Sequence, residues 1–179
     1  MKLLELEDIE DIIDEYGDVI YKFSIKLAQN KEDGEDLYQQ TFLKAMELRK
    51  KLNKDRNPKS FLISVMIKIW KNSTRKDTRR EKIAPTLNID QYDSFHIKDM
   101  NVDVEREIIN GEIETEVNLV VSKLQDKFKF PIIMHYTAQM SVEEISKALK
   151  IPKGTVKSRL FKARIKIKEE LEAMGYERV

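Results

Sequence analysis

The sequence predicts an all-α protein: two small helical domains joined by a flexible acidic linker, the C-terminal one carrying a helix-turn-helix. Three observations point there. Leu, Lys, Glu, Ile and Met outweigh strand and turn formers, and glycine and proline number only 5 and 4 among 179 residues, a composition that favours helices. Apolar residues recur at three-and-four spacing along most of the chain, the period of an amphipathic helix. That pattern lapses from Ile83 to Gly111, and so long an unpatterned stretch is unusual inside one compact domain.

The first helix is read from Ile9, Ile12, Ile13, Tyr16, Val19, Ile20, Phe23 and Leu27, which keep one face apolar. Asn30-Lys31-Glu32-Asp33-Gly34 interrupts it with turn formers. A second helix is expected over Glu35 to Lys51, with Leu37, Thr41, Phe42, Ala45 and Leu48 on one side. The turn Asn53 to Pro58 follows, since Pro58 steers Asn57 out of helical geometry and suits a helix start itself. A third helix runs from about Lys59 to Lys82, apolar at first (Phe61, Leu62, Val65, Met66, Ile69, Trp70) and strongly basic later, with Trp70 expected to be buried. These three form the first domain, 1–83. The linker is 84–111, with a short helix near Val104 to Ile109. The second domain, 112–179, is expected to hold helices at Glu112–Leu124, Lys129–Thr137, Val142–Leu149 and Gly154–Ala173.

A net charge of +1 conceals strong segregation. Residues 1–48 carry a net −8, residues 49–82 a net +10, residues 83–125 a net −6 and residues 126–179 a net +5. Two basic blocks separated by acidic ones fit two nucleic-acid contact surfaces, although each block taken alone also fits a solvated helix face. With no cysteine in the chain, a disulfide framework or thiolate metal site is excluded. His96 and His135 lie far apart and outside any H-E-x-x-H pattern, so no metal site is expected. The amino terminus turns acidic at once and does not read as a signal peptide, and no apolar run reaches membrane-spanning length. The chain therefore reads as cytoplasmic, without direct membrane insertion. No glycine-rich phosphate loop, nucleophile elbow or paired-carboxylate cluster is present, so no catalytic residue and no cofactor are expected, and the chain does not read as an enzyme.

The most specific motif lies near the carboxyl end. Ser141 and Glu144 make a capping box that opens a helix with Ile145, Ala148 and Leu149 on its apolar face. Lys150 to Gly154 is a tight turn. The basic helix that follows has Val156, Leu160, Ala163, Ile167 and Leu171 on a single stripe. Short helix, turn and basic helix constitute a helix-turn-helix whose second helix enters the major groove. Lys157, Ser158, Phe161 and Lys162 fall off the buried stripe. An aromatic among lysines there could press on a thymine methyl while the lysines reach bases and phosphates. Alternatively, Phe161 fills a gap against a neighbouring helix.

The stretch SVEEISKALKIPKGTVKSRLFKARIKIKEEL resembles region 4 of the extracytoplasmic-function (ECF) sigma factors of RNA polymerase. Upstream, Asp33 to Phe42 (DGEDLYQQTF) resembles the family's DAEDLVQETF of region 2, and Asn57-Pro58-Lys59-Ser60-Phe61-Leu62 with its basic helix resembles the later part of that region. The matches span nearly all of the chain except the linker, in family order. The resemblance implies an alternative sigma factor that binds core RNA polymerase and directs promoter-specific initiation.

It also implies roles. Asp36, Gln39 and Gln40 stand where the family docks on the polymerase's largest subunit, and the acidic first block suits a basic partner; the wet face of a bundle helix would look the same. Lys54 and Asn57 are candidates to read a flipped base of the −10 element, and Arg75, Lys76, Arg79 and Arg80 to hold its phosphates. Lys157, Ser158, Phe161 and Lys162 match readers of the −35 element, with Arg159 and Arg164 on phosphates. Family members are commonly held inactive by an anti-sigma factor, so that partner is expected beside polymerase and promoter DNA. Three positions depart from the family: Gln40 replaces the usual Glu, Phe61 a common Trp, and Lys68 a common Asn. The aromatic cluster used by housekeeping sigma factors for strand opening is absent, which implies limited melting power. The alternative is a stand-alone helix-turn-helix regulator, which predicts no polymerase affinity and leaves the first domain unexplained.

Overall fold

A computed structural model describes the chain at residues 6–48, 57–83 and 104–176, with side chains described at 10–48, 57–75 and 114–176. Among the described residues all regular structure is helical: α1 (Leu6–Ala28), α2 (Lys31–Glu47), α3 (Pro58–Ile83), α4 (Val104–Lys123), α5 (Asp126–Tyr136), α6 (Val142–Leu149) and α7 (Lys153–Ala173). They form two compact units, α1–α3 in one, and α4, α5 and α7 with α6 up to Ser146 in the other.

In the first unit α1 packs on α2 and α3, and α2 on α3. Most of the apolar stripes read from the sequence become its core: Ile12, Ile20, Phe23 and Leu27 from α1, Leu37, Phe42 and Ala45 from α2, and Leu62, Val65 and Met66 from α3 are buried. Ile63 and Ile67, outside the expected stripe, are buried with them, whereas Ile13 is exposed and Phe61 and Ile69 are half-buried. Each fully buried large side chain contributes about 1.5–3 kcal/mol. An exposed ion pair such as Lys31–Glu35, at 3.8 Å, contributes at most about 1 kcal/mol, so the stripes decide the packing. The hydroxyls of the two fully buried polar residues are satisfied within their own helices: Thr41 donates to the Leu37 carbonyl at 2.7 Å, and Ser24 to that of Tyr21 at 2.8 Å; among the described residues the buried Ser60 Oγ has no partner. Tyr21 also donates to Glu35 at 3.1 Å, linking α1 to α2. Burial, and then the bond to Glu35, raise the Tyr21 pKa and keep the phenol protonated.

The start of α2 corrects the expectation that residues 30–34 are a turn. Asn30 is an N-cap, its Oδ1 accepting the Asp33 N–H at 2.8 Å, so the helix begins four residues early. Gly34 makes this possible. A Cβ there would stand 2.5 Å from Ile25 Cδ1 and 3.0 Å from Ile25 Cα, so α2 crosses α1 at a point where only hydrogen fits. Trp70, expected to be buried, is half-buried: it continues the face of Leu62, Ile63 and Met66, but lies beyond Ile67, the last buried residue of α3 among those described.

In the second unit α5 and α4 pack on α7. α4 starts at Val104 and runs unbroken through Asn110 and Gly111, whereas the sequence suggests a short helix near Val104 to Ile109 and a separate one from Glu112. One interior glycine costs about 1 kcal/mol, too little to end a helix that is tied down beyond it. α5 starts at Asp126 rather than Lys129, which leaves Pro131 inside the helix. The lost backbone bond and ring clash cost about 3 kcal/mol, and burial of Phe128, Phe130, Ile132, Ile133 and Met134 offsets this. α7 ends in a Schellman turn: Tyr176 N–H bonds the Leu171 carbonyl at 3.0 Å and Gly175 N–H that of Glu172 at 3.0 Å, with Gly175 at φ 92°.

Candidate nucleic-acid interface

The expected helix-turn-helix is present and its entry is fixed by the capping box. The Ser141 N–H donates to Glu144 Oε2 at 2.7 Å, and the Glu144 N–H to Ser141 Oγ at 3.2 Å. Ile145 anchors α6 in the core. The turn after α6 is closed twice by the same residues: Ile151 N–H bonds the Ser146 carbonyl at 3.1 Å, and Ser146 Oγ donates to the Ile151 carbonyl at 2.6 Å. Lys150 between them is left-handed, at φ 55°. Pro152 at the N-cap, φ −58°, has the backbone preset for entering α7. Lys153 at the start of α7 pairs with Glu143 of α6 at 3.0 Å.

α7 then sorts its side chains as the wheel requires. Val156, Leu160 and Ala163 are buried, and Ile167 and Leu171 are half-buried. Lys157, Ser158, Lys162 and Arg164 are exposed, and Arg159 is half-buried. Phe161 is 61% exposed, which removes the reading in which it plugs a gap. It stands off the buried stripe, beside the exposed Lys157, Ser158 and Lys162.

In the first unit, Asn57 has φ 58° and caps α3, its Oδ1 accepting the Ser60 N–H at 3.0 Å. Asparagine tolerates this left-handed backbone better than most residues. Arg75 is exposed on the same helix. Lys54 lies outside the described residues, as do the side chains of Lys76, Arg79 and Arg80, whose backbone continues α3. Asp36, Gln39 and Gln40 are exposed on α2, and Gln40 Nε2 donates to Asp36 Oδ2 at 2.6 Å.

Two residues that the sequence reading passed over belong with these surfaces. Leu43 is 62% exposed, one turn beyond Gln39 and Gln40, and off the Leu37–Thr41–Phe42–Ala45 stripe. The wheel test applied to Phe161 would have found it. Tyr136, at the end of α5, receives a hydrogen bond from Arg164 Nε at 2.9 Å. That pairing joins residues 28 apart in sequence, and no local pattern announces it.

Comparison with known proteins gives two family matches in chain order: Sigma-70 region 2 over residues 12–80 and Sigma-70, region 4 over residues 116–167. The ECF RNA polymerase sigma factor SigW of Bacillus subtilis is 26% identical over 165 residues, covering 90% of this chain and 87% of that protein. The ECF RNA polymerase sigma-E factor of Haemophilus influenzae is 25% identical over 148 residues, covering 81% of this chain and 78% of that protein. The fold is shared with the sigma factor RpoE of Bartonella quintana, solved in complex with the anti-sigma factor NepR (TM-score 0.73, 22% identity, 91% of this chain and 98% of that one). With both regions matched in order and full-length ECF relatives aligned along most of its length, the chain belongs to the sigma-70 family of RNA polymerase sigma factors, as a member of the ECF type.

Proposed function

We propose that this ECF sigma factor recruits core RNA polymerase to its promoters through three surfaces of its own residues. The exposed face of α2, with Asp36, Gln39, Gln40 and Leu43, docks on core polymerase. Asn57 and Lys54 read the −10 element, and the basic half of α3 (Arg75, Lys76, Arg79, Arg80) follows its backbone. α7 enters the major groove at the −35 element. There Lys157, Ser158 and Lys162 reach base edges or phosphates, Phe161 covers a thymine methyl, and Arg159 and Arg164 hold phosphates. Polymerase and −10 contacts are assigned to 1–83 and −35 contacts to 112–179, joined by 84–111, where α4 already begins. The observation that carries this reading is Phe161: exposed among Lys157, Ser158 and Lys162, on a helix whose opposite stripe is buried.

In this reading polymerase performs the chemistry and the sigma chain supplies no catalytic group and needs no cofactor. Its place of work is the cytoplasm, with the DNA. Among the described residues no helix is long and apolar enough to cross a membrane. An anti-sigma factor is the expected negative regulator, the kind of partner present in the solved complex of the sigma factor RpoE with NepR, whose fold this chain shares.

Run-off transcription with core polymerase tests the proposal, using candidate promoters that include the region upstream of the chain's own gene. Promoter-specific transcripts should require the protein and should be lost in Lys157→Ala and Phe161→Ala. DNA binding without association with core polymerase would instead mark a stand-alone regulator.

A further inference from the structure

Tyr136 and Arg164 form a cross-helix pair whose purpose neither the fold nor the base-reading face explains. Tyr136 closes α5 and is 58% exposed. Arg164 Nε donates to its hydroxyl at 2.9 Å, and the guanidinium carbon lies 5.9 Å from the ring centroid. The ring is braced from behind. His135 meets it edge to face, with centroids 5.0 Å apart and planes at 82°. His135 Nδ1 in turn lies 3.0 Å from the Met140 carbonyl oxygen. A carbonyl only accepts, so Nδ1 carries the proton. A backbone carbonyl, an imidazole and a phenol thus stand in series behind one exposed guanidinium.

Such a pair adds little to stability, since both partners are exposed. Its effect is on the arginine. Among the described residues only Nε of the guanidinium is engaged, so the paired Nη groups are free to form the fork that matches a phosphate. Position favours phosphate over base. Arg164 lies three residues beyond Phe161, about 4.5 Å further along the helix at 1.5 Å per residue, and its guanidinium is drawn toward Tyr136 of α5. A side chain held toward a neighbouring helix at the edge of the reading face meets backbone and not a base edge.

We infer that Tyr136 is a positioning residue for DNA binding: through its hydroxyl it presents the Arg164 guanidinium to one backbone phosphate beside the site that α7 reads. The inference rests on the −35 reading above and adds a residue outside the recognition helix.

The test uses holoenzyme reconstituted from core polymerase and the full chain, bound to a promoter duplex selected by run-off transcription. Affinity is measured against salt, and with neutral methylphosphonates placed one at a time along the −35 backbone. Arg164→Ala should lower the log–log salt slope by about 1 and abolish the penalty at one methylphosphonate position. Tyr136→Phe keeps the ring and deletes the acceptor; it should weaken binding about three- to tenfold and blunt the penalty at that same position. It should have no further effect in an Arg164→Lys background, where no Nε–H plane remains to be held. Equal thermal midpoints for Tyr136→Phe and the parent would separate positioning from folding. A Tyr136→Phe protein with the full penalty at that phosphate overturns the inference. Wild-type holoenzyme without any sensitive phosphate in the −35 half-site overturns the −35 reading itself, and the inference with it.

Discussion

Gln40 donates to Asp36 across one turn of α2, Nε2 to Oδ2 at 2.6 Å, on the face assigned to core polymerase. The amide therefore holds in place a carboxylate that a basic partner would seek. Gln40→Glu removes the donor and sets two carboxylates at i,i+4, a loss of about 0.2–0.5 kcal/mol in the helix. It also adds a charge to the docking face. Core affinity should rise about two- to fivefold at low salt and the gain should vanish at high salt, since attraction between exposed charges is screened. Asp36→Asn should move affinity the other way. Competition binding to core polymerase across a salt series reads both, and a face indifferent to either change would not be the docking surface.

Gly34 and Ile25 set the crossing of α1 and α2. An alanine in the first turn of a helix is ordinarily a gain, by about 1 kcal/mol over glycine. Here its Cβ would meet Ile25 Cα at 3.0 Å and Cδ1 at 2.5 Å. The side-chain tip can swing away, but the backbone atom cannot. Overpacking of this kind costs about 1–3 kcal/mol, so Gly34→Ala should lower the stability of the first unit despite the better helix former. Chemical denaturation followed by Trp70 fluorescence reports on that unit. An unchanged or raised midpoint would mean that α2 can shift without loss.

Two helix ends that share a backbone bond reaching five residues back, Tyr176 to Leu171 and Ile151 to Ser146, differ in the residue they use at the left-handed position. At the end of α7 the left-handed position is Gly175, φ 92°; at the end of α6 it is Lys150, φ 55°. A side chain at such a position costs about 1–2 kcal/mol relative to ordinary helical geometry, and glycine avoids that cost. Lys150→Gly should therefore stabilise the helix-turn-helix by about 1 kcal/mol, a rise of about 4–8 °C in the midpoint of a unit this size. Differential scanning calorimetry of the full chain checks it. No rise would mean that the lysine's stem supplies packing that offsets its backbone strain.

What the sequence revealed was local, and what it concealed was tertiary. Ser141 and Glu144 are three residues apart, and the Val156–Leu160–Ala163 stripe repeats within one helix, so cap, turn and the outward face of Phe161 could all be read from spacing. Residues 30–34 contain both turn formers and a capping asparagine, and spacing cannot choose between them. The choice depends on Gly34 fitting against Ile25 of another helix. Pro131 inside α5 is tolerated because of what surrounds it, and Gly111 does not end α4; neither is visible to propensity. Among the functional groups, Leu43 was within reach of the same wheel that exposed Phe161. The hold of Tyr136 on Arg164 was not.

Asn57 carries two roles that a pair of substitutions can separate. Its Oδ1 caps α3 through the Ser60 N–H at 3.0 Å, while its left-handed backbone, φ 58°, turns the chain into Pro58. Asn57→Ala deletes the cap, at about 1 kcal/mol, and places a residue less tolerant of that backbone at the same φ, at about 1 kcal/mol more. Asn57→Asp keeps an acceptor for Ser60 and sets a negative charge at the positive end of the helix, so stability should stay within about 0.5 kcal/mol of the parent. Base reading responds differently, because the carboxylate has lost the amide's donors. If Asn57 reads the −10 element, both variants should change the ranking of promoters mutated singly across that element, whereas only Asn57→Ala should lower the thermal midpoint. Run-off transcription on the promoter set, beside unfolding of each variant, makes the comparison. An Asn57→Asp protein with the parent's promoter ranking would confine Asn57 to capping and leave the −10 reading to the basic residues around it.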